Sequence, residues 1–501
     1  MSTGIALWIV VAALVLAISL IRLNVPTQTS PLPPGPKPLP FIGNALDVPA
    51  HLAWRTYAKW RDTYVGDVIF MRVFGMPMIV LNSLGGVVDL LEKRSSNYSD
   101  RLQAEMVTLI GWNWTLGAME YGQKWRRRRR IFHQHFNQTA VRQYKPQIRL
   151  FSRQLLKRFY EEPEEFEHHI HYVLGANILS VAYGLEIAEK NDIHIIVAEK
   201  AMEAHVQVVI PGSFWVDFMP FLKYLPAWIP GAGFQKKAAD WRVNTTAMKE
   251  LPCQSVAARL SERMSHLEGE ALAAEEDVSK DVLGLSSTNP VLNIDQIAST
   301  ITSLVLAMVL YPDVQKRAQA ELDQAVGTSR LPDFPDRESL PYIQAICKEA
   351  LRWQPAAPFG AAHRSIADDE YNGYHIPAGI LILENIWAIL HDPMVYSQPE
   401  DFIPERFLKD GRINPGVLDP SVASFGAGRR ICPGRYYSEL ILFIYVACIL
   451  HTFDIMPALD ENNQPIRPEP KMTSGSVSFP EPFKCIIKPR SALAEKLTAE
   501  T

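Results

Sequence analysis

The chain has 501 residues, of which 48% are hydrophobic and 21% are charged, and its formal net charge at pH 7 is −4. This length fits one large globular domain or two ordinary ones, and the slight negative charge argues against a general nucleic-acid-binding protein. Five scattered cysteines without a CxxC spacing argue against a disulfide scaffold and against a zinc site. They are Cys253, Cys347, Cys432, Cys448 and Cys485.

The N-terminal region predicts a membrane anchor. Residues 4–21 read GIALWIVVAALVLAISLI, carry no charge and are followed by Arg22. As a helix this stretch would be about 27 Å long, close to the thickness of a bilayer core. A cleaved signal peptide is the alternative, but the stretch has no preceding positive charge and no clear cleavage site after it. We therefore expect a single-pass anchor over 1–22, with the rest of the chain on the cytoplasmic side.

A proline-rich connector follows, and then a long domain with mostly helical periodicity. The dense prolines of residues 31–40 exclude a helix, so 23–40 is expected to be stiff and extended, before a domain over 41–501. Within this domain the patterns predict a β-hairpin, another turn and strand, and several helices. The hairpin is expected at 68–81, the second strand at 375–385, and two of the helices at 314–326 and 342–353. The sequence thus predicts a mainly α fold with a minor β part.

Five consecutive arginines stand in the stretch KWRRRRRIF, residues 124–132. Taken alone, such a run suggests nuclear localisation or nucleic-acid binding. The expected membrane anchor and the negative net charge disfavour that interpretation, so we expect no nucleic-acid partner.

A lone cysteine stands in the glycine-rich stretch FGAGRRICPG, residues 425–434. A dinucleotide-binding loop is a weak interpretation because the last glycine of its pattern is missing, and an inert buried cysteine is the ordinary alternative. The third interpretation is a metal-ligating thiolate. Pro433 favours a helix that starts just after Cys432, and the positive end of that helix would lower the pKa of the thiol. A single anionic sulfur in such a position suits an axial ligand of haem iron.

This stretch resembles the haem-binding loop of the cytochrome P450 family. The matching residues are Phe425, Gly426, Gly428, Arg430, Cys432 and Gly434. The resemblance implies a single large P450-like domain behind the transmembrane helix, with haem b (iron protoporphyrin IX) as cofactor. It makes Cys432 the axial iron ligand, with Phe425 near the sulfur and Gly434 in the same cofactor-binding loop.

The resemblance extends to three further motifs. Trp125 and Arg129 match a WxxxR pair that reaches a haem propionate, and His363 and Arg430 match two more propionate contacts. Glu349 and Arg352, three residues apart, match an ExxR pair that binds the arginine of a PERF segment. That arginine is Arg406 here, and the three residues are implied to be structural. The alternative for the ExxR pair is a solvated surface pair of little energetic value.

The chain departs from the family pattern in the central helix, within the stretch 285–297. The family carries Ala/Gly-Gly-x-Asp/Glu-Thr-Thr/Ser there, whereas this chain has Leu292 to Ile297, in which only the acid, Asp295, is kept. Pro290 should end or kink a helix just before this point. The motif implies a catalytic role for Asp295 in proton delivery. Three explanations remain open: Gln296 or Ser299 carries the hydrogen bonds, the enzyme does not activate oxygen, or the stretch is a misjoined or decayed one.

The resemblance implies a haem-thiolate monooxygenase that hydroxylates a hydrophobic small molecule. Expected substrates are secondary metabolites such as terpenoids, indoles or polyketides, or xenobiotics, with O2 and with electrons from an NADPH-dependent P450 reductase. We expect the domain on the cytosolic side of the endoplasmic reticulum membrane, with surplus arginines among Arg126–Arg128 and Arg130 steering the reductase. The alternatives are a non-oxygenating isomerase or dehydratase, or a non-catalytic haem-binding protein. Substrate contacts are expected around Met106–Trp114, Pro358–Ala361 and Gly475–Val477.

Overall fold

The computed structural model describes residues 30–209, 213–229, 231–264 and 294–499, with only the backbone for 253–264. The predicted anchor over 1–22 and the residues before Ile294 in the atypical central stretch lie outside the described residues. Among the described ones, no single helix is long and apolar enough to cross a membrane. One consecutive pair of helices meets that criterion together, but the two helices are bent by 105° where they meet.

Helices account for most of the described chain, as the sequence predicts. The α-helices are α1 (Ala53–Thr63), α2 (Leu84–Val87), α3 (Ser95–Tyr98), α4 (Glu105–Leu109), α5 (Gln123–Phe136), α6 (Lys145–Glu161), α7 (Phe166–Tyr183), α8 (Ile193–Val208), α9 (Trp215–Phe218), α10 (Gly233–Met264), α11 (Ile294–Leu310), α12 (Pro312–Ala325), α13 (Pro341–Trp353), α14 (Ile386–Leu390), α15 (Ser421–Ser424), α16 (Arg435–Thr452) and α17 (Ala492–Ala499). The predicted helices at 314–326 and 342–353 are confirmed as α12 and α13.

The strands form a minor part. They are β1 (Val68–Val73), β2 (Met76–Leu81), β3 (Asp100–Arg101), β4 (His363–Arg364), β5 (Asp369–Tyr371), β6 (Tyr374–Ile376), β7 (Leu381–Glu384), β8 (Leu408–Lys409), β9 (Arg412–Ile413), β10 (Phe453–Leu459), β11 (Pro465–Ile466) and β12 (Cys485–Pro489). One five-stranded sheet has the order β1-β2-β7-β4-β3, a three-stranded sheet has the order β11-β10-β12, and β5-β6 and β8-β9 are two-stranded.

Both predicted β segments are confirmed. The hairpin at 68–81 is β1 and β2, paired antiparallel with Val73 opposite Met76 and turning through Phe74 and Gly75 at positive φ. The second segment contains β6 and β7, and β7 pairs parallel to β2. Its central position fits the LILE sequence of β7, in which all four residues are buried.

Two apolar helices form the centre of the helical layer. Helix α11 is buried along nearly its whole length, and α16 is buried from its second turn to its end. Pro312 at the start of α12 cannot continue α11, so the chain turns sharply there. Helices α6, α7 and α13 pack against this pair. The cysteine loop lies at the N-terminal end of α16, between this core and the five-stranded sheet.

Candidate active site

The cysteine loop runs from α15 to α16 and forms one wall of a large cavity. The Cys432 backbone N–H donates to the Phe425 carbonyl (2.8 Å), which closes the loop. Gly426 and Gly428 have φ values of +67° and +62°, in the left-handed region that favours glycine. A Cβ at Gly428 would lie 1.9 Å from the Leu91 carbonyl oxygen, so the loop packs directly on backbone there. The cavity measures about 760 Å³, and Phe425, Gly426 and Cys432 line it.

The predicted start of the following helix was wrong by two residues. Helix α16 begins at Arg435 with Gly434 as its N-cap, so Pro433 lies in the turn before the helix. The expected lowering of the thiol pKa is also absent in the chain by itself, because burial raises the pKa of Cys432. The backbone N–H groups of Gly434 and Arg435 and the nearby cationic side chains oppose that rise. A bound metal ion would lower the pKa of the Cys432 thiol further, because it stabilises the thiolate directly.

Arg430 lines one corner of the cavity and packs against Trp125, which does not itself line the cavity. The Arg430 guanidinium donates to the backbone carbonyls of Ser99 (2.7 Å), Leu116 (3.1 Å) and Met119 (2.8 Å). It also lies over the Trp125 ring, 4.4 Å from the centroid, and the Trp125 indole N–H donates to the Leu116 carbonyl (3.1 Å). Burial lowers the pKa of Arg430 to about 9. Arg430 therefore places a positive charge in the cavity wall that forms no ion pair with a carboxylate of the described residues.

His363 lines the cavity from another element, whereas Arg129 does not line it and contacts the cysteine loop instead. Arg129, one turn after Trp125 on α5, donates to the Ile431 carbonyl (2.5 Å), next to the cysteine. His363 begins β4, and its ring nitrogens face the Tyr98 carbonyl (2.7 Å) and the Glu384 carboxylate (3.2 Å). Burial lowers the pKa of His363, while the hydrogen bonds to the Glu384 carboxylate and to the Tyr98 carbonyl oppose that lowering.

Arg101 is a cavity residue that the sequence analysis missed. It lies on β3, pairs across to His363 and donates to the Ala361 carbonyl (2.5 Å). Its Nε is buried without a hydrogen-bond partner, and burial lowers its pKa to about 10. No motif in the sequence marks this residue, because β3 is only two residues long. Arg101 is recognised as a site residue only from the structure, because it is a buried cation that faces the cavity beside His363.

These residues fit a haem with two anionic propionates. Within the described part of the chain, none of Arg101, Arg129 and Arg430 forms an ion pair, although all three are partly or fully buried. Buried cations are stable when an anion compensates them, and carboxylates are suitable partners for guanidinium groups. The Cys432 sulfur lines the same cavity and supplies the one metal ligand that the family requires.

Glu349, Arg352 and Arg406 form one buried network beneath the cysteine loop. The Glu349 carboxylate accepts two hydrogen bonds from Arg352 (2.7 and 2.8 Å) and one from Arg406 Nε (3.2 Å). The Glu349 and Arg352 side chains are both 0% exposed, so the surface-pair alternative was wrong. Arg352 also donates to three backbone carbonyls in the segment before PERF, those of Leu390, Pro399 and Asp401. The network joins α13 to that segment and leaves no polar group of its own facing the cavity.

Helix α11 contributes the opposite wall through Gln296, Ile297 and Thr300. The Gln296 side-chain oxygen is buried without a hydrogen-bond partner, and the Thr300 hydroxyl donates to the Gln296 backbone carbonyl (2.9 Å). Ser299 points elsewhere and donates to the Ser478 carbonyl (2.5 Å), which removes it as the alternative hydrogen-bonding group. Thr300 was missed by sequence because it lies one turn beyond the family motif.

Asp295 is not among the residues that line the cavity. Its carboxylate faces the His171 ring on α7 at 3.8 Å, and burial together with the Glu199 carboxylate raises its pKa to about 6. A role for Asp295 in proton delivery therefore stays a prediction, in which it would act from behind the cavity wall.

The expected substrate segments line the cavity to different degrees. Phe359, Gly360 and Ala361 do so, as does all of Gly475–Val477. From Met106–Trp114 only Val107 reaches the cavity, because Met106, Ile110 and Trp112 are fully buried in the core behind it. Part of the remaining wall comes from α8, which the sequence analysis did not mark, and other parts come from α1 and the β1–β2 hairpin.

Comparison with known proteins agrees with this geometry. The family model for cytochrome P450 matches residues 33–486. Cytochrome P450 monooxygenase COX2 of Coprinopsis cinerea is 40% identical over 94% of this chain and 91% of its own length. A cytochrome P450 monooxygenase of Armillaria gallica is 39% identical over 99% of both chains. Tryptamine 4-monooxygenase of Psilocybe cyanescens is 38% identical over 93% of this chain and 94% of its own.

A haem-thiolate site in a mainly helical fold defines a P450-type oxidoreductase. The chain belongs to the cytochrome P450 family and is a monooxygenase related to those of fungi.

Proposed function

We propose that this protein hydroxylates a hydrophobic small molecule of secondary metabolism, using O2 and electrons from an NADPH-dependent P450 reductase. The observation that carries the proposal is the single cavity that holds both the Cys432 sulfur and a mostly apolar wall from α8 and α11. Terpenoids, indoles, polyketides and xenobiotics suit such a wall, because apolar burial drives their binding. The relative named tryptamine 4-monooxygenase supports the indole class.

The chain contributes positioning, electrostatics and exclusion of water. Haem, when bound, supplies the reductive activation of O2 and the transfer of one oxygen atom to carbon. Cys432 would hold its iron. The propionates would be held by the cavity-lining Arg101, His363 and Arg430. Contacts from Trp125 and Arg129 stay predictions of the family pattern, because neither residue lines the cavity. The apolar side chains of the opposite wall keep water away from the reacting carbon.

Gln296 occupies the place where the family carries its first motif threonine. A carboxamide can donate and accept hydrogen bonds, so it can hold a water molecule at the cavity wall. Thr300 faces the same cavity one turn later and offers a hydroxyl oxygen as acceptor. We assign proton positioning at this wall to Gln296 and Thr300, with Asp295 as the acid behind them.

The exposed arginines of α5 support a reductase partner. Arg126, Arg127 and Arg130 are exposed, and a cationic surface attracts an acidic redox protein over a distance set by the salt concentration. Arg128 does not belong to this surface, because its guanidinium turns inward to the Trp114 carbonyl.

A patch of exposed apolar side chains supports attachment to a membrane. Phe74, at the tip of the β1–β2 hairpin, packs its ring on those of Trp215 (4.7 Å) and Phe218 (5.0 Å) and donates its N–H to the Ile42 carbonyl. The segments joined at this tip expose Phe41 (95%) and Trp215 (57%) to solvent. Large exposed patches of this kind mark membrane or protein contacts. We place the domain on the cytosolic face of the endoplasmic reticulum membrane, which the N-terminal stretch 4–21 would also anchor.

The test is spectroscopic first and catalytic second. Membranes that contain the protein should give the red-shifted Soret band of a thiolate-ligated haem after reduction and addition of carbon monoxide. Reconstitution with a reductase should then give substrate-dependent consumption of NADPH and O2. A band without such turnover, over a broad terpenoid and indole panel, would favour a haem-binding protein. Product formation without NADPH would instead favour an isomerase or dehydratase.

A further inference from the structure

The wall that α8 contributes to the cavity is apolar except at one residue. Met202, Val206, Val208 and Val209 line the cavity from this helix and its end, and His205 stands among them. No hydrogen bond joins either ring nitrogen of His205 to any described residue. The His205 side chain is half-buried and its ring nitrogens are not among the buried polar atoms, so they lie open to the cavity and become costly only when an apolar ligand covers them without pairing them. This arrangement is therefore unusual for a histidine that serves only as packing.

The His205 ring packs against a buried aromatic neighbour. The ring lies 4.2 Å from the Trp112 ring centroid at an interplanar angle of 40°. Trp112 itself is 0% exposed, and its backbone N–H donates to the Val107 carbonyl (2.9 Å). One face of the imidazole is thus covered by a rigid aromatic ring. A fixed polar group that faces an apolar cavity provides directional recognition at low entropic cost.

We propose that His205 is the specificity-determining residue of the substrate wall and binds an uncharged hydrogen-bonding group, such as a hydroxyl, on an otherwise apolar substrate. This inference rests on the proposed function and deepens it. Burial lowers the pKa of His205 to about 4, so the ring is neutral near pH 7 and presents one donor and one acceptor nitrogen. A hydroxyl can form a hydrogen bond with either nitrogen, whereas a hydrocarbon leaves both nitrogens without a hydrogen-bond partner. A site with a buried polar group discriminates strongly against the analogue that cannot pair with it.

The consequence concerns the order of reactions. If His205 binds a hydroxyl or carbonyl away from the oxidised carbon, the substrate must carry that polar group before this enzyme acts on it. An oxygen-adding or hydrating reaction, or a precursor that is polar from the outset, must therefore supply it. Fully hydrocarbon skeletons, such as unoxidised terpenes, are then poor substrates for this enzyme.

A series of N-alkylimidazoles tests the proposal without knowledge of the substrate. Their imidazole binds haem iron, and chains of four to twelve carbons, ending in methyl or hydroxyl, probe the cavity wall at increasing depth. Binding is followed by the Soret shift of the haem-loaded protein. At most chain lengths, the compound that ends in a hydroxyl should bind more weakly than the one that ends in a methyl. At the length that reaches His205, the hydroxyl compound should bind roughly fivefold more tightly than this trend predicts.

Matched variants show whether His205 is responsible for the tighter binding of the hydroxyl compound. His205→Phe keeps an aromatic ring beside Trp112 and removes both nitrogens, so it should lose this tighter binding. Met202→Leu alters the same wall without a polar change and should keep it. His205→Leu replaces the Phe variant if that variant does not retain haem. The same hydroxyl-to-methyl profile in wild type and in the apolar variant would overturn the role of His205. No Soret shift with any member, together with no carbon monoxide band, would instead overturn the proposed function and the inference with it.

Discussion

Removal of the Glu349 carboxylate should destabilise the haem-binding half of the fold. Glu349 is fully buried and accepts four hydrogen bonds, two from Arg352, one from Arg406 and one from the Ile403 backbone N–H. In Glu349→Ala the two guanidinium groups stay buried or nearly so, since Arg352 is 0% and Arg406 is 7% exposed at the side chain. Arg352 in particular has no exposed side-chain surface through which water could compensate its charge.

The size of the effect follows from that burial. Removing one partner of a buried ion pair costs about 3–5 kcal/mol, because the remaining charge is desolvated and unpaired. A loss of this size is a large part of the roughly 5–15 kcal/mol that stabilises an ordinary folded domain. We therefore expect most of the Glu349→Ala protein to lose haem at a temperature where the wild type retains it.

The assay is the temperature at which the carbon monoxide band disappears, measured in membranes for the variant and for an exposed control. Glu469 pairs with Lys471 at 2.7 Å, but both side chains are more than 60% exposed. Glu469→Gln should leave the transition where it is, because solvent screens exposed pairs. A Glu349→Ala protein with full haem content and an unchanged transition would refute the argument that the network is held by compensated buried charge.

Three further changes have defined outcomes. Gly428→Ala should abolish haem incorporation, because its Cβ would overlap the Leu91 carbonyl, whereas Gly411→Ala, also at positive φ but with open space around it, should be tolerated. Cys432→Ser should replace the red-shifted carbon monoxide band by one at shorter wavelength, because the thiolate ligand is lost. Asp295→Asn should raise stability by about 1–3 kcal/mol at pH 7, because the wild-type carboxylate is ionised there in a site that raises its pKa to about 6.

The pH dependence gives the Asp295 prediction its sign. Between pH 3.8 and about 6 the folded chain holds a proton that the unfolded chain has released. The contribution of Asp295 to stability is therefore complete below pH 3.8 and is lost as the pH rises through 6. Unfolding by denaturant at pH 4 and pH 7 should show a difference between variant and wild type only at the higher pH. An equal difference at both values would contradict the raised pKa.

For the glycine and cysteine variants, haem content and the carbon monoxide spectrum are the measurements. Equal haem content in Gly428→Ala and Gly411→Ala would show that the loop does not depend on its contact with Leu91. An unchanged red-shifted band in Cys432→Ser would exclude this cysteine as the ligand.

Local sequence patterns were sufficient where one element decides the outcome. The hairpin at 68–81 and helices α12 and α13 follow from periodicity and turn residues, because each segment buries one side or lies wholly inside. The spacing of Glu349 and Arg352 likewise places both on one helical face. The burial of this pair could not be predicted from the spacing, because the PERF segment that covers the two residues comes about 50 residues later.

The cavity walls were harder to predict because they are assembled from distant segments. Arg101 is placed by a two-residue strand that pairs with His363, which lies more than 250 residues further along the chain. His205 is an isolated histidine on α8, and only its position in the cavity wall distinguishes it from a core residue. The start of α16 was misjudged because Pro433 fits the first position of a helix, whereas here Gly434 caps the helix after a turn.

The way in which Arg430 is bound has a consequence for how this enzyme can diversify. Its guanidinium donates to backbone carbonyls at Ser99, Leu116 and Met119, on both sides of the segment that carries Val107 and Trp112. Every residue type has a backbone carbonyl, so the side chains between Ser99 and Met119 can be exchanged without loss of the hydrogen bonds from Arg430. Substrate range can therefore evolve, or be engineered, in this segment while the cofactor-binding corner keeps its geometry.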